Sequence, residues 1–208
     1  MKSLIRLAVV VAIASVPMFA GTIPYPNKGT ITPTQTFKAA GTGVVTAIFY
    51  GYDAGDTDYI ELVDVTKGTN SGLQFKNNKT KSGATFTLAV NQGDILEFKL
   101  YDANHKLWFS SDPAHSADGL NHAYATPFTG SIPGYKGTVN GMFIGMEDLA
   151  YNPNVHLGKN GNSDLDYNDD QFVFENVAAV HAPEPASLAL LGTGLVGIFG
   201  AARRKLYS

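Results

Sequence analysis

An antiparallel β-sandwich of jelly-roll type is predicted for the middle of this chain, flanked by an N-terminal signal helix and a C-terminal transmembrane helix. Three observations predict it. Residues 21–182 hold seven short strand-like runs bounded by Gly, Asn, Asp or Pro. Several of these runs alternate apolar and polar residues, and none of the middle carries a helical period. Strands without helical crossovers pack sheet on sheet.

In chain order, the first twenty residues have the parts of a secretory signal. Lys2 and Arg6 give the positive start, "LAVVVAIASV" the apolar middle and "PMFAG" a cleavage region. Cleavage fits after Ala20, with "AIA" ending at Ala14 as an alternative. The domain follows over residues 21–178. Its predicted strands are "VVTAIFYGY" (44–52), "DYIELVDVT" (58–66), "ATFTLAV" (84–90), "DILEFKLYD" (94–102), "KLWFSS" (106–111), "GTVNGMFIGMED" (137–148) and "DQFVFENVA" (170–178). Leu96, Phe98 and Leu100 alternate with Glu97 and Lys99, which predicts a sheet with one wet face. Trp108 and most Phe and Tyr residues are expected in the core or at the sheet edges. A linker (179–185), an apolar transmembrane sorting helix (186–202) and a basic cytoplasmic tail (203–208) complete the chain.

The tail reads Pro183-Glu184-Pro185, then an uncharged stretch with Gly192, Gly194 and Gly197, then Arg203, Arg204 and Lys205. The 17 apolar residues reach the short limit for a membrane-crossing helix, and the basic end should stay cytoplasmic. In order, spacing and position this tail resembles the PEP-CTERM sorting signal of Gram-negative bacteria. The resemblance implies recognition by an exosortase, a membrane-embedded processing enzyme. It also implies transient anchoring in the inner membrane and a destination at the cell surface or in an exopolysaccharide matrix.

Between the two ends, ten basic residues face 17 acidic ones, a net charge of −7. An acidic surface excludes nucleic acid and anionic lipid as natural partners and suits cations. Cysteine is absent, so packing or a metal must stabilise the exported fold. Catalysis is not expected. There is no Cys nucleophile, no Gly-x-Ser-x-Gly elbow, and the five histidines have no metal spacing. His122, in a loop with Asp118 and Asn121, is the histidine to inspect.

"SDLDYNDDQFVFEN" (163–176) concentrates carboxylates and an amide just before a strand. Asp164, Asp166, Asn168 and Asp170 recur at every second residue, an oxygen-rich array of the kind calcium requires. An EF-hand is excluded, because Asp169 stands where its loop needs Gly and a strand follows instead of a helix. A calcium turn and a solvated Asn/Asp turn that caps its own backbone both remain open. "GDTDYIELVDV" (55–65) shares the Asp-x-Asp-Tyr run, though two occurrences of four residues do not establish a repeat.

The segment from "GMFIGMEDLAY" to "QFVFENV" resembles a bacterial extracellular domain family of unassigned function. The match lies in Glu147-Asp148-Leu149, then Asp164, Asp166, Tyr167, Asn168 and Asp169; Met146 and Asp170-Gln171 depart from the pattern. The resemblance implies a β-sandwich and suggests calcium. The expected ligand set is Glu147, Asp148, Asp164, Asp166, Asn168, Asp169 and Asp170, gathered if the strand ending at Glu147 pairs with the one starting at Asp170. The resulting expectation is a structural or adhesive matrix protein with a calcium-stabilised domain. The alternatives are a carbohydrate-binding module, with Trp108 as a glycan contact, and an exported hydrolase.

Overall fold

The computed structural model describes residues 23–180. The signal segment, the Pro183–Pro185 motif, the apolar stretch and the Arg203–Arg204 pair lie outside them. Among the described residues no helix is long and apolar enough to cross a membrane.

Eleven strands form two antiparallel sheets. They are β1 (Thr36–Ala39), β2 (Gly43–Tyr52), β3 (Asp58–Asp64), β4 (Thr69–Asn70), β5 (Thr85–Val90), β6 (Ile95–Asp102), β7 (Leu107–Ser110), β8 (Ala123–Gly130), β9 (Val139–Met146), β10 (Asp170–Glu175) and β11 (Val177–Val180). One sheet has the order β11-β1-β6-β3-β4, with β7 also on β6; the other runs β5-β2-β10-β9-β8. The all-β antiparallel expectation holds.

The inner faces of both sheets share one core. Phe37, Phe98 and Leu100 of the first sheet pack with Phe49, Phe172 and Phe174 of the second. The Phe98 and Phe174 rings meet across the interface at 4.5 Å between centroids. In β3 the alternation is clean, with Ile60 and Leu62 buried and Tyr59, Glu61 and Val63 half-buried. The second sheet is covered on both faces. Ile48, Phe143 and Val173 point away from the main core and are packed over by Tyr25, Ile132 and Tyr135. Double coverage explains the unbroken apolar runs "MFIGM" and "FVF" in β9 and β10.

Three expectations change. Glu97 does not face water and is 5% exposed. The turn after β7 folds over it, where it accepts bonds from Ser110 Oγ (2.6 Å) and pairs with His115 Nδ1 (2.8 Å). The last predicted strand divides at Asn176 (φ 64°), and its second part continues to Val180 by pairing with β1, into the stretch read as linker. β1, β4 and β8 are not among the predicted runs; β8 contains Pro127, which its edge position accommodates.

Candidate metal centre

The expected pairing of β9 with β10 is present, with Met146 opposite Asp170. It carries Glu147 and Asp148, just past β9, to the same end of the sandwich as the 163–170 loop. Glu147 is fully buried and serves as the anchor of that loop. Its Oε1 accepts from Tyr167 N (2.5 Å), and its Oε2 accepts from Leu165 N (3.2 Å) and Ser163 Oγ. Leu165 (φ 53°) and Tyr167 (φ 58°) are both left-handed, which turns alternate N–H groups inward onto one carboxylate. Such strain persists only when its surroundings enforce it. Gly145 is part of that enforcement. A Cβ there would lie 2.2 Å from the Tyr167 carbonyl oxygen, so only glycine lets the loop close on β9. The Tyr167 hydroxyl accepts from Thr32 N (3.0 Å), tying the loop to the N-terminal segment.

His122 is a strut beside this loop. Its Nε2 lies 2.9 Å from Asp118 Oδ1 and its Nδ1 3.2 Å from the Glu147 carbonyl. Burial works against ionisation of Asp118, yet bonds from His122 and from the Tyr151 and Leu120 amides hold its carboxyl down at about 2.

The seven expected ligands fall into two groups. Asp164 and Asp166 lie with Glu147 in a set whose ligand atoms are within 4.8 Å of one another. Lys28 occupies this set's outer side, paired with Asp164 and 3.8 Å from Asp166 Oδ2. Glu147, Asp164 and Asp169 also line a cavity of about 210 Å³. Asn168 shapes the turn through its backbone, its N–H donating to Asp166 Oδ1 (3.2 Å) and its carbonyl accepting from Gln171 Nε2 (2.7 Å).

Asp148 and Asp170 belong to a deeper group that includes Asp58 and Asp102 of the other sheet, and half-buried Asp169 links the two groups by accepting from Asp148 N (3.2 Å). Asp58 opens β3, Asp102 closes β6, and the two are cross-strand partners. Asp58, Asp102, Asp148 and Asp170 are each at most 2% exposed. Burial first, then Asp148 and Asp102, pushes Asp58 up to about 8. Burial raises Asp148 to about 6, and burial with Glu147 and Asp148 raises Asp169 to about 10. Asp170 is held well above the ordinary carboxylate range by burial and by Asp58.

Other buried carboxylates have cationic partners. Lys67 lies 3.7 Å from Asp64 and 3.1 Å from Asp94, and His105 Nδ1 lies 2.6 Å from Asp102. Among the described residues no lysine, arginine or histidine pairs with Asp58, Asp148, Asp169 or Asp170. Sequence reasoning missed Asp58 and Asp102. The shared Asp-x-Asp-Tyr run at 56–59 was the available signal, since it feeds the same end of the sandwich as 164–167.

Trp108 stands elsewhere, half-buried on the outer face of the first sheet. Tyr101 lies beside it at 5.0 Å between ring centroids, and Lys99 Nζ is 4.7 Å from the Trp108 ring.

A family model described as the PEP-CTERM protein-sorting motif matches residues 181–205. That span contains Pro183, Glu184, Pro185, Arg203 and Arg204. No curated protein matches the chain, and no solved structure does. The motif implies an exported protein, transiently held in the membrane and processed by an exosortase.

Proposed function

We propose that this PEP-CTERM-bearing chain is a structural or adhesive protein of the cell surface and exopolysaccharide matrix, built as a calcium-stabilised β-sandwich. The observation that carries the reading is the sorting motif, which begins at residue 181, directly after the last residue of β11. The whole described domain is therefore the cargo of the tail. A Cys-free domain outside the cell needs another staple, and the acidic end of the sandwich supplies oxygen ligands for a hard cation. Turnover is not part of this reading: Asp58, Glu147, Asp148 and Asp170 are buried, and Glu147 is taken up in holding the 163–167 loop.

Replacing Pro183 and Pro185 together by alanine is expected to leave a full-length precursor in the inner-membrane fraction, while the wild type appears shortened in the surface or matrix fraction. Fractionation and immunoblotting check this. Normal processing of the double variant would overturn the sorting role of those residues.

A second reading, a carbohydrate-binding module, is favoured by one specific arrangement. Tyr59 is paired with Tyr101 and Tyr101 with Trp108 across β3, β6 and β7, so three partly exposed aromatics stand in a row on one outer face. Sugar rings stack their C–H faces on such surfaces. Under this reading Trp108→Ala weakens binding to the producer's own polysaccharide about tenfold, equivalent to about 1.4 kcal/mol. Affinity electrophoresis reads the effect, and equal retardation of wild type and variant would eliminate the reading.

A further inference from the structure

Asp58 and Asp170 come from different sheets and converge on one side chain in the interior. Their only donor among the described residues is one amide. Asn77 Nδ2 lies 2.8 Å from Asp58 Oδ2 and 3.5 Å from Asp170 Oδ2, and it also donates to the Asp56 carbonyl at 3.1 Å. The amide cannot be turned around, since its Oδ1 accepts from Asp58 N (3.2 Å) and Asn78 N (2.7 Å). Two amide hydrogens thus serve three acceptors, one oxygen of each carboxylate and the Asp56 carbonyl. Asp58 Oδ1 and Asp170 Oδ1 are left buried without a hydrogen-bond partner. Buried acceptors of this kind are rare and costly unless something positive reaches them.

We propose that Asp58 and Asp170 form a calcium seat that clasps the two sheets together at the acidic end of the sandwich. The seat rests on the calcium reading above and gives it a location. An all-oxygen donor set selects a hard cation. Asp102 is not among the ligands, because its Oδ1 accepts from the Asn104 and His105 amides and its Oδ2 meets His105 Nδ1. The outer group is the poorer seat. Lys28 already pairs with Asp164 and lies 3.8 Å from Asp166, and three donors fill the anchoring carboxylate of Glu147. An ion between Asp58 and Asp170 would bind β3 to β10, elements whose nearest ends, Asp64 and Asp170, are 106 residues apart in sequence, and take the place of a disulfide.

The test uses the full chain in detergent, stripped with EDTA and then given calcium chloride or magnesium chloride. Saturating calcium should raise the melting temperature by about 5–10 °C, with a smaller response to magnesium. The double variant Asp164→Asn/Asp166→Asn should keep that rise. Asp58→Asn and Asp170→Asn should lose it, while melting in EDTA no lower than the wild type because a carboxyl that must take up a proton on burial has been replaced by a neutral amide. If either fails to fold, Asp58→Glu keeps the carboxylate but moves it by one methylene, and its calcium affinity by equilibrium dialysis should fall at least tenfold. No calcium response in the wild type overturns both the seat and the calcium reading, and leaves a proton shared by Asp58 and Asp170. A response that survives Asp58→Asn and Asp170→Asn but vanishes in the outer double variant overturns the seat alone.

Discussion

Glu147→Ala will lower the stability of the domain by about 3–5 kcal/mol, the range found when one partner of a buried charged network is removed. The substitution strands Tyr167 N and Ser163 Oγ and leaves Leu165 N with only the Ser163 hydroxyl, at 3.0 Å. It also removes the group that holds two left-handed residues in place, so the 163–167 loop has no reason to keep its shape. Glu147→Gln retains the volume but sets an NH₂ against N–H donors, and should cost less than alanine and more than a surface change. Asp166→Asn, on the exposed side of the same loop, should lie within about 0.5 kcal/mol of the wild type. Urea unfolding reads all three from the midpoint at constant slope. A loss below about 1 kcal/mol for Glu147→Ala would mean that the loop is held by something other than this carboxylate.

The second large effect is on pH. With chelator present, the domain will be most stable near pH 4 and will weaken steadily towards pH 8. The sign follows from the direction of the shifts. The carboxyl of Asp58 ionises at 3.8 in its ordinary state and at about 8 in the folded chain. Between those values the unfolded chain has released a proton that the folded chain retains, so each rise in pH favours unfolding. Asp148 adds to the loss up to about 6, and Asp169 extends it upward to about 10. Each unit is worth about 1.4 kcal/mol per group, so the total is on the order of several kcal/mol. Asp118 acts in the opposite sense. Its folded value of about 2 gives stability that is present above 3.8 and lost as pH falls through 2, which closes the window on the acid side. Calcium should flatten the slope above pH 5, since ionised oxygens then have a cation to face. Thermal melts across pH, with EDTA and with calcium, check this; a chelated domain that gains stability between pH 5 and 8 would contradict it.

Much of the scaffold was legible because one property, the period-two burial of Ile60 and Leu62 or of Leu96, Phe98 and Leu100, depends on neighbours two residues away. What escaped depends on distant chain. β8 looks unlike a strand until its edge position is known, and Glu97 looks solvent-facing until Ser110 and His115 fold over it. The acidic end shows the same division. Glu147, Asp148 and the 164–170 run were readable as one group because β9 and β10 are neighbours. Their separation into an anchored outer loop and a buried seam, and the arrival of Asp58 and Asp102 from the other sheet, follow from how two sheets are stacked. No spacing within a single segment records that.

The pairing of β11 with β1 has a consequence for reach. β11 ends at Val180, and the uncharged stretch begins at Ala186, so five residues lie between that strand and the segment read as membrane-spanning. Fully extended, they span at most about 18 Å. With the tail inserted, the sandwich would therefore rest almost against the bilayer, and a processing enzyme would have to work in a gap narrower than a small domain. Unzipping the four residues of β11 from β1 would lengthen the leash by about 13 Å without disturbing the strands that carry Asp58 and Asp170. The last strand is in this sense a reserve of slack, placed where release from the membrane would draw on it.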